Sequence, residues 1–93
     1  MAKRLTSAER AHRKSERRRA RNRAARSTTK TAIRKAERLI QAGALVEATA
    51  AVQEALGTLD KGAQKGIIHP NNAARRKSRL MKKLNDAQAA SAA

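Results

Sequence analysis

Apolar positions along this chain fall into three stretches, each with the three-or-four spacing of a helix buried on one side. At about 100° per residue, Ala25, Thr29, Ala32, Ile33, Ala36, Leu39 and Ile40 share one arc. Leu45, Ala48, Val52, Leu56, Leu59 and Ala63 form a second stripe, with Glu47 and Glu54 pointing away from it. Ala73, Leu80, Leu84 and Ala87 form a third, with Met81 at its edge. Residues 8–31 contain no bulky apolar side chain, so much of the first helix has no core of its own to join.

Punctuation between the stripes is consistent with three helices. Thr6-Ser7-Ala8-Glu9 reads as a capping box, in which Thr6 caps and Glu9 reaches back. Gly43 and Gly66 are helix stops, and Pro70 suits a first helical turn. The expected helices cover about residues 7–42, 45–65 and 70–88, with ends 1–6 and 89–93 flexible. Four residues, Gln41-Ala42-Gly43-Ala44, suffice only for a tight connection, so the second helix must fold back on the first. Ile67 and Ile68, in the second connection, should plug one end of the core, and Gly57 is a mild cost within the second helix. The fold class is therefore all-α. It is an antiparallel three-helix bundle, a single domain over residues 1–93, whose long N-terminal helix projects beyond the other two. No sustained apolar heptad supports a coiled coil.

Composition sharpens this picture in two ways. The larger aliphatics, counted from Leu5 to Leu84, are few and Ala dominates, so the core is thin and its stability marginal. The chain has no Cys and no aromatic residue. It therefore offers no disulfide framework, no thiolate metal site and no stacking platform for single-stranded bases. The lack of Cys fits a reducing compartment such as the cytoplasm.

Charge alters the picture most. The formal net charge is +16. Residues 1–38 hold 15 basic and 3 acidic side chains, residues 39–60 hold three acids and no base, and residues 61–84 hold eight bases and no acid. A solvated face normally mixes signs. This one barely does, and its self-repulsion calls for a strongly anionic partner. On the first helix the basic surface changes sides. Arg10, Arg13, Lys14, Arg17 and Arg21 cluster roughly opposite a second stripe of Arg19, Arg23, Arg26, Lys30, Arg34 and Arg38. A helix lying on one flat anionic surface needs only one stripe, so two suggest a rod between two nucleic-acid elements. On the third helix Arg75, Arg76, Arg79, Lys82 and Lys83 oppose the apolar face. Lys77 falls among the apolar positions, where its stem packs and its ammonium escapes. Asn71 and Asn72 stand where they reach a phosphate or a 2′-hydroxyl. These features point to backbone recognition of folded RNA, with shape as the selector. A DNA-compacting, histone-like protein is the nearest alternative. A membrane-active helix lacks the bulky apolar residues it would need.

Nothing points to an enzyme. His12 and His69 lie on different elements, no Ser has a His–Asp constellation, and the four Gly are isolated rather than grouped in a phosphate loop. No cofactor and no metal are expected.

The run Lys65-Gly66-Ile67-Ile68-His69-Pro70-Asn71-Asn72-Ala73-Ala74-Arg75-Arg76-Lys77-Ser78-Arg79-Leu80 closely resembles the bacterial small-ribosomal-subunit protein twenty family. So does the N-terminal half, with Ser7-Ala8, the Arg-rich run, and Ser27-Thr28-Thr29-Lys30-Thr31-Ala32-Ile33-Arg34-Lys35-Ala36. The resemblance covers roughly residues 3–85. It implies a three-helix bundle that binds 16S ribosomal RNA directly in the body of the 30S subunit, at the 5′ domain and the long penultimate helix. It implies few protein contacts, no membrane and no homo-oligomer. Carried over by position, it implies RNA contacts at Arg10, Arg13, Lys14, Arg17, Arg18, Arg21 and Arg26, and at Lys65, His69, Asn71, Arg75, Arg76, Lys77 and Arg79. Lys30 and Arg34, on the second stripe, complete the candidate set. Two positions depart from the family pattern: Glu9 replaces a common Lys, and Ala44 replaces a common polar cap, so the second helix should start raggedly.

Overall fold

A computed structural model describes residues 6–92. The helices are α1 (Ser7–Gln41), α2 (Leu45–Gln64) and α3 (Pro70–Ala92). No strand occurs among the described residues. The bundle is elongated, with extents of 73 × 25 × 13 Å.

Local chemistry accounts for each helix end. The Thr6 hydroxyl accepts from the Glu9 amide at 3.1 Å, which is the Thr6 half of the expected capping box. α1 ends in a Schellman turn: the Gly43 amide donates to the Ile40 carbonyl at 3.1 Å and the Ala44 amide to Leu39 at 3.1 Å. The same turn closes α2, where Gly66 donates to Ala63 at 3.1 Å and Ile67 to Gly62 at 2.9 Å. Both turns need a left-handed residue, and Gly43 and Gly66 supply it with φ of 77° and 76°. Ala44 precedes α2 without a side-chain cap, as its methyl group dictates.

α1 and α2 each end one residue earlier than expected. α3 instead continues through Ala89, Ala90 and Ser91 to Ala92, past the expected end at 88. No breaker intervenes, and Ala has the strongest helix propensity of any residue. Leu5 and the remaining terminal residues, 1–5 and 93, lie outside the described residues.

α2 is the central helix, packed extensively on both α1 and α3, while α1 and α3 touch each other far less. The core is correspondingly narrow. Ala36, Ala48, Ala51, Val52, Ala55, Leu80 and Leu84 form its main cluster, with Ile33, Leu39, Ile40 and Leu56 packed at the border. The sequence stripe on α2 was too narrow. Ala51, Ala55 and Gly62 are buried as well, whereas Leu45 and Leu56 stay half-buried, because α2 is covered from two sides and small residues let both neighbours approach. Ile68 packs its side chain directly over Gly62, where an added Cβ would meet Ile68 Cδ1 at 2.7 Å. Thr29 is buried on the core face of α1 at 4% exposure. Its hydroxyl donates to the Ala25 carbonyl at 3.0 Å, which removes the cost of burying it.

Two ion pairs tie α3 to its neighbours: Lys77 to Asp60 of α2 at 2.6 Å, and Lys83 to Glu37 of α1 at 3.0 Å. From Thr6 to Ala24 of α1 every side chain is exposed except that of Asn22, which is half-buried. This part of the rod extends past the bundle with its charge facing outward.

Candidate nucleic-acid interface

The rod meets the turn between α2 and α3 at one corner, and there the charge converges. Arg26 donates from Nη2 to the Ile67 carbonyl at 3.4 Å, bridging the middle of α1 to that turn. On one side of this contact a cleft of about 830 Å³ opens. Six cations line it: Arg18, Arg19, Arg23, Arg26 and Lys30 from α1, and Arg76 from α3. No acidic side chain lines it among the described residues. Asn22, His69 and Asn72 add neutral polar groups, and Ile67 and Ile68 add an apolar floor.

The α3 wall of the cleft is locally built. His69 precedes the helix, and its Nδ1 accepts from the Asn71 amide at 3.1 Å, so it acts as the N-cap. One turn on, Asn72 Oδ1 accepts from Arg76 Nε at 3.3 Å, which orients the guanidinium. On the other side of α1 lies a smaller groove lined by Thr28, Thr58, Lys61 and Lys65. The corner therefore presents cations to two sides of the rod.

The sequence candidates divide among these surfaces. Arg18, Arg26, Lys30, His69 and Arg76 come together in the main cleft. Lys65 faces the opposite groove. Arg10, Arg13, Lys14, Arg17 and Arg21 are exposed on the projecting half of α1, and Arg34 is exposed further along the same helix. Asn71, Arg75 and Arg79 are exposed on α3 and do not line the cleft. Lys77 is half-buried, with its ammonium on Asp60. Its stem packs as the sequence indicates, but the charge is engaged within the protein. Among the lining residues outside the candidate set are Arg19, Asn22, Arg23 and Asn72. The stripe of Arg19, Arg23, Arg26 and Lys30 held the signal for two of them. Asn72 was legible as half of the Asn71-Asn72 pair at the start of α3. Asn22 carried no such signal, because only the crossing of α1 over the α2–α3 turn brings it to the cleft.

This is a helical bundle whose charge is gathered on a projecting rod and around one basic corner, a surface electrostatically suited to a polyanion. Residues 4–85 match the ribosomal protein S20 family, and the chain belongs to it. Among its relatives, the small ribosomal subunit protein bS20 of Dehalococcoides mccartyi is 58% identical over 81 residues, covering 87% of this chain and 92% of the relative. The bS20 of Thermomicrobium roseum is 58% identical over 79 residues, covering 85% and 80%. That of a Roseiflexus species is 56% identical over 85 residues, covering 91% and 92%.

Proposed function

We propose that this protein is a structural component of the bacterial small ribosomal subunit that binds 16S ribosomal RNA and stabilises the packing of RNA helices during 30S assembly. Family membership supports the setting. The observation that carries the mechanism is the basic corner, where six cations line one cleft without an acid among the described residues. RNA helices repel one another at close approach. A cationic rod inserted between them lowers that cost and holds them in one relative position. The two basic stripes of α1 face different directions, which suits contact with two elements, the 5′ domain and the long penultimate helix. The chemistry is charge neutralisation, with no bond made or broken and no cofactor.

Counterion release drives such binding, so affinity falls steeply with salt. With about 6–10 phosphate contacts, the duplex relation gives a log–log slope of about −5 to −9. Filter binding of the full chain to 16S ribosomal RNA across a salt series measures this, and a slope flatter than about −2 would overturn the mechanism. Duplex DNA added as competitor should displace the protein poorly, whereas displacement as ready as by ribosomal RNA would indicate a DNA-compacting role.

A further inference from the structure

We infer that the main cleft takes an unpaired guanosine of the RNA, read on its N7 and O6 edge, in addition to backbone phosphates. The inference rests on the RNA-binding reading above and names what one part of that site selects.

The argument begins with hydrogen-bond supply on the α3 wall. His69 Nδ1 already accepts from the Asn71 amide at 3.1 Å, which leaves the ring proton on Nε2 as a donor. Asn72 Oδ1 already accepts from Arg76 Nε at 3.3 Å, which leaves the Asn72 amide nitrogen as a donor. The same bond sets the guanidinium plane of Arg76 and leaves its two terminal nitrogens to act as a fork. Arg26, beside them, has only donors. The wall therefore presents donors to its ligand, with both of its side-chain acceptors engaged.

Phosphate oxygens satisfy such a wall, but they do not explain the floor. Ile67 and Ile68 are half-buried and line the same cleft. A phosphate gains nothing from apolar surface, and a planar base does. The cleft, at about 830 Å³, falls within the size range of small-molecule sites. Among the edges that bases present outside Watson–Crick pairing, guanine has two adjacent acceptors, N7 and O6, and no donor. Adenine places the N6 amino group beside N7, which would set a donor against one arm of the Arg76 fork. An Arg fork on guanine N7 and O6 is a common specific contact in nucleic-acid recognition. At the rim, Arg18 and Arg23 remain for the flanking phosphates, while Arg19 is paired with Glu16 at 3.7 Å.

Analogue interference tests this. 16S ribosomal RNA is transcribed with 7-deazaguanosine at random sparse positions, the protein-bound fraction is collected on filters, and the depleted positions are read out. The expected result is depletion of about tenfold or more at an unpaired guanosine within the bound region, with no matching position for 7-deazaadenosine. In the Asn72→Ala variant, which releases Arg76, the depletion at that guanosine should fall to that of the background. Binding of the RNA without any guanosine-specific depletion would overturn the inference and leave the backbone mechanism standing. So would equal interference by both analogues. Failure of the unmodified chain to bind 16S ribosomal RNA at all would remove the proposed function and the inference with it. The 7-deazaguanosine comparison on the native chain decides the matter even if the variant does not fold.

Discussion

Three glycines show how one residue type serves opposite ends. Gly43 ends α1 at φ 77°, where an L side chain is strained. Gly57 lies within α2, half-buried, and a Cβ added there meets nothing within 4 Å. Gly62 is buried under Ile68 and accepts from the amides of Ile67 and Ile68 at 2.9 and 3.1 Å. Gly43→Ala should therefore cost about 1–2 kcal/mol. Gly57→Ala should add roughly 0.5–1 kcal/mol by removing backbone freedom from the unfolded chain. Thermal melts followed by circular dichroism should show a midpoint several degrees lower for the first and about 2–8 °C higher for the second. A lowered midpoint for Gly57→Ala would mean that α2 is less regular there than the structure indicates. The Lys77–Asp60 pair matters less for stability, since its side chains are 37% and 61% exposed and solvent screens it.

α1 is two elements in one helix. From Ala25 onward it buries one face against α2, and among the described residues before that every side chain but that of Asn22 is exposed. Like charges stand four apart along the projecting half, at Arg10 and Lys14, Arg13 and Arg17, Lys14 and Arg18, Arg17 and Arg21, and Arg19 and Arg23. Each such pair costs the isolated helix a few tenths of a kcal/mol, and no buried face repays it. In the free protein the amides of residues 7–24 should exchange much faster than those of residues 45–63. Bound RNA should slow the first group strongly and the second little. Equal protection of both groups before RNA is added would show that the rod is stable by itself.

At the scale of the whole molecule, the proposed bridging role predicts a division of labour between two faces of one rod. Replacing Arg23, Arg26 and Lys30 by Gln strips the cleft side, and replacing Arg10, Lys14 and Arg17 by Gln strips the opposite stripe. Each triple change should flatten the log–log salt slope by about 2–3, because each removes about three phosphate contacts. Crosslink mapping on assembled subunits should then show the two variants losing different RNA segments. Loss of the same segments by both would contradict a bridging role and favour a rod laid along one surface.

The helix starts, the ends of α1 and α2 to within a residue, the antiparallel turns and the segregation of charge could be read from the chain alone, whereas α3 runs four residues past its expected end. They depend on neighbours within four or five residues: Thr6 with Glu9, Gly43 with Ile40, Gly66 with Ala63. The depth of burial on α2 could not be read this way. Ala51, Ala55 and Gly62 carry almost no hydropathy signal, and they are buried because two helices close on α2 at once. The candidate site was legible as stripes and not as a place. Arg18 and Arg76 are 58 positions apart, and only the crossing of α1 over the α2–α3 turn puts them in one cleft. The same is true of Lys77, whose charge the fold commits to Asp60. The sequence by itself determined that the protein is a three-helix polycation, because propensity, capping and charge are local properties. Only the tertiary structure decided which cations converge and which donors remain open to a ligand, because convergence depends on how the helices cross.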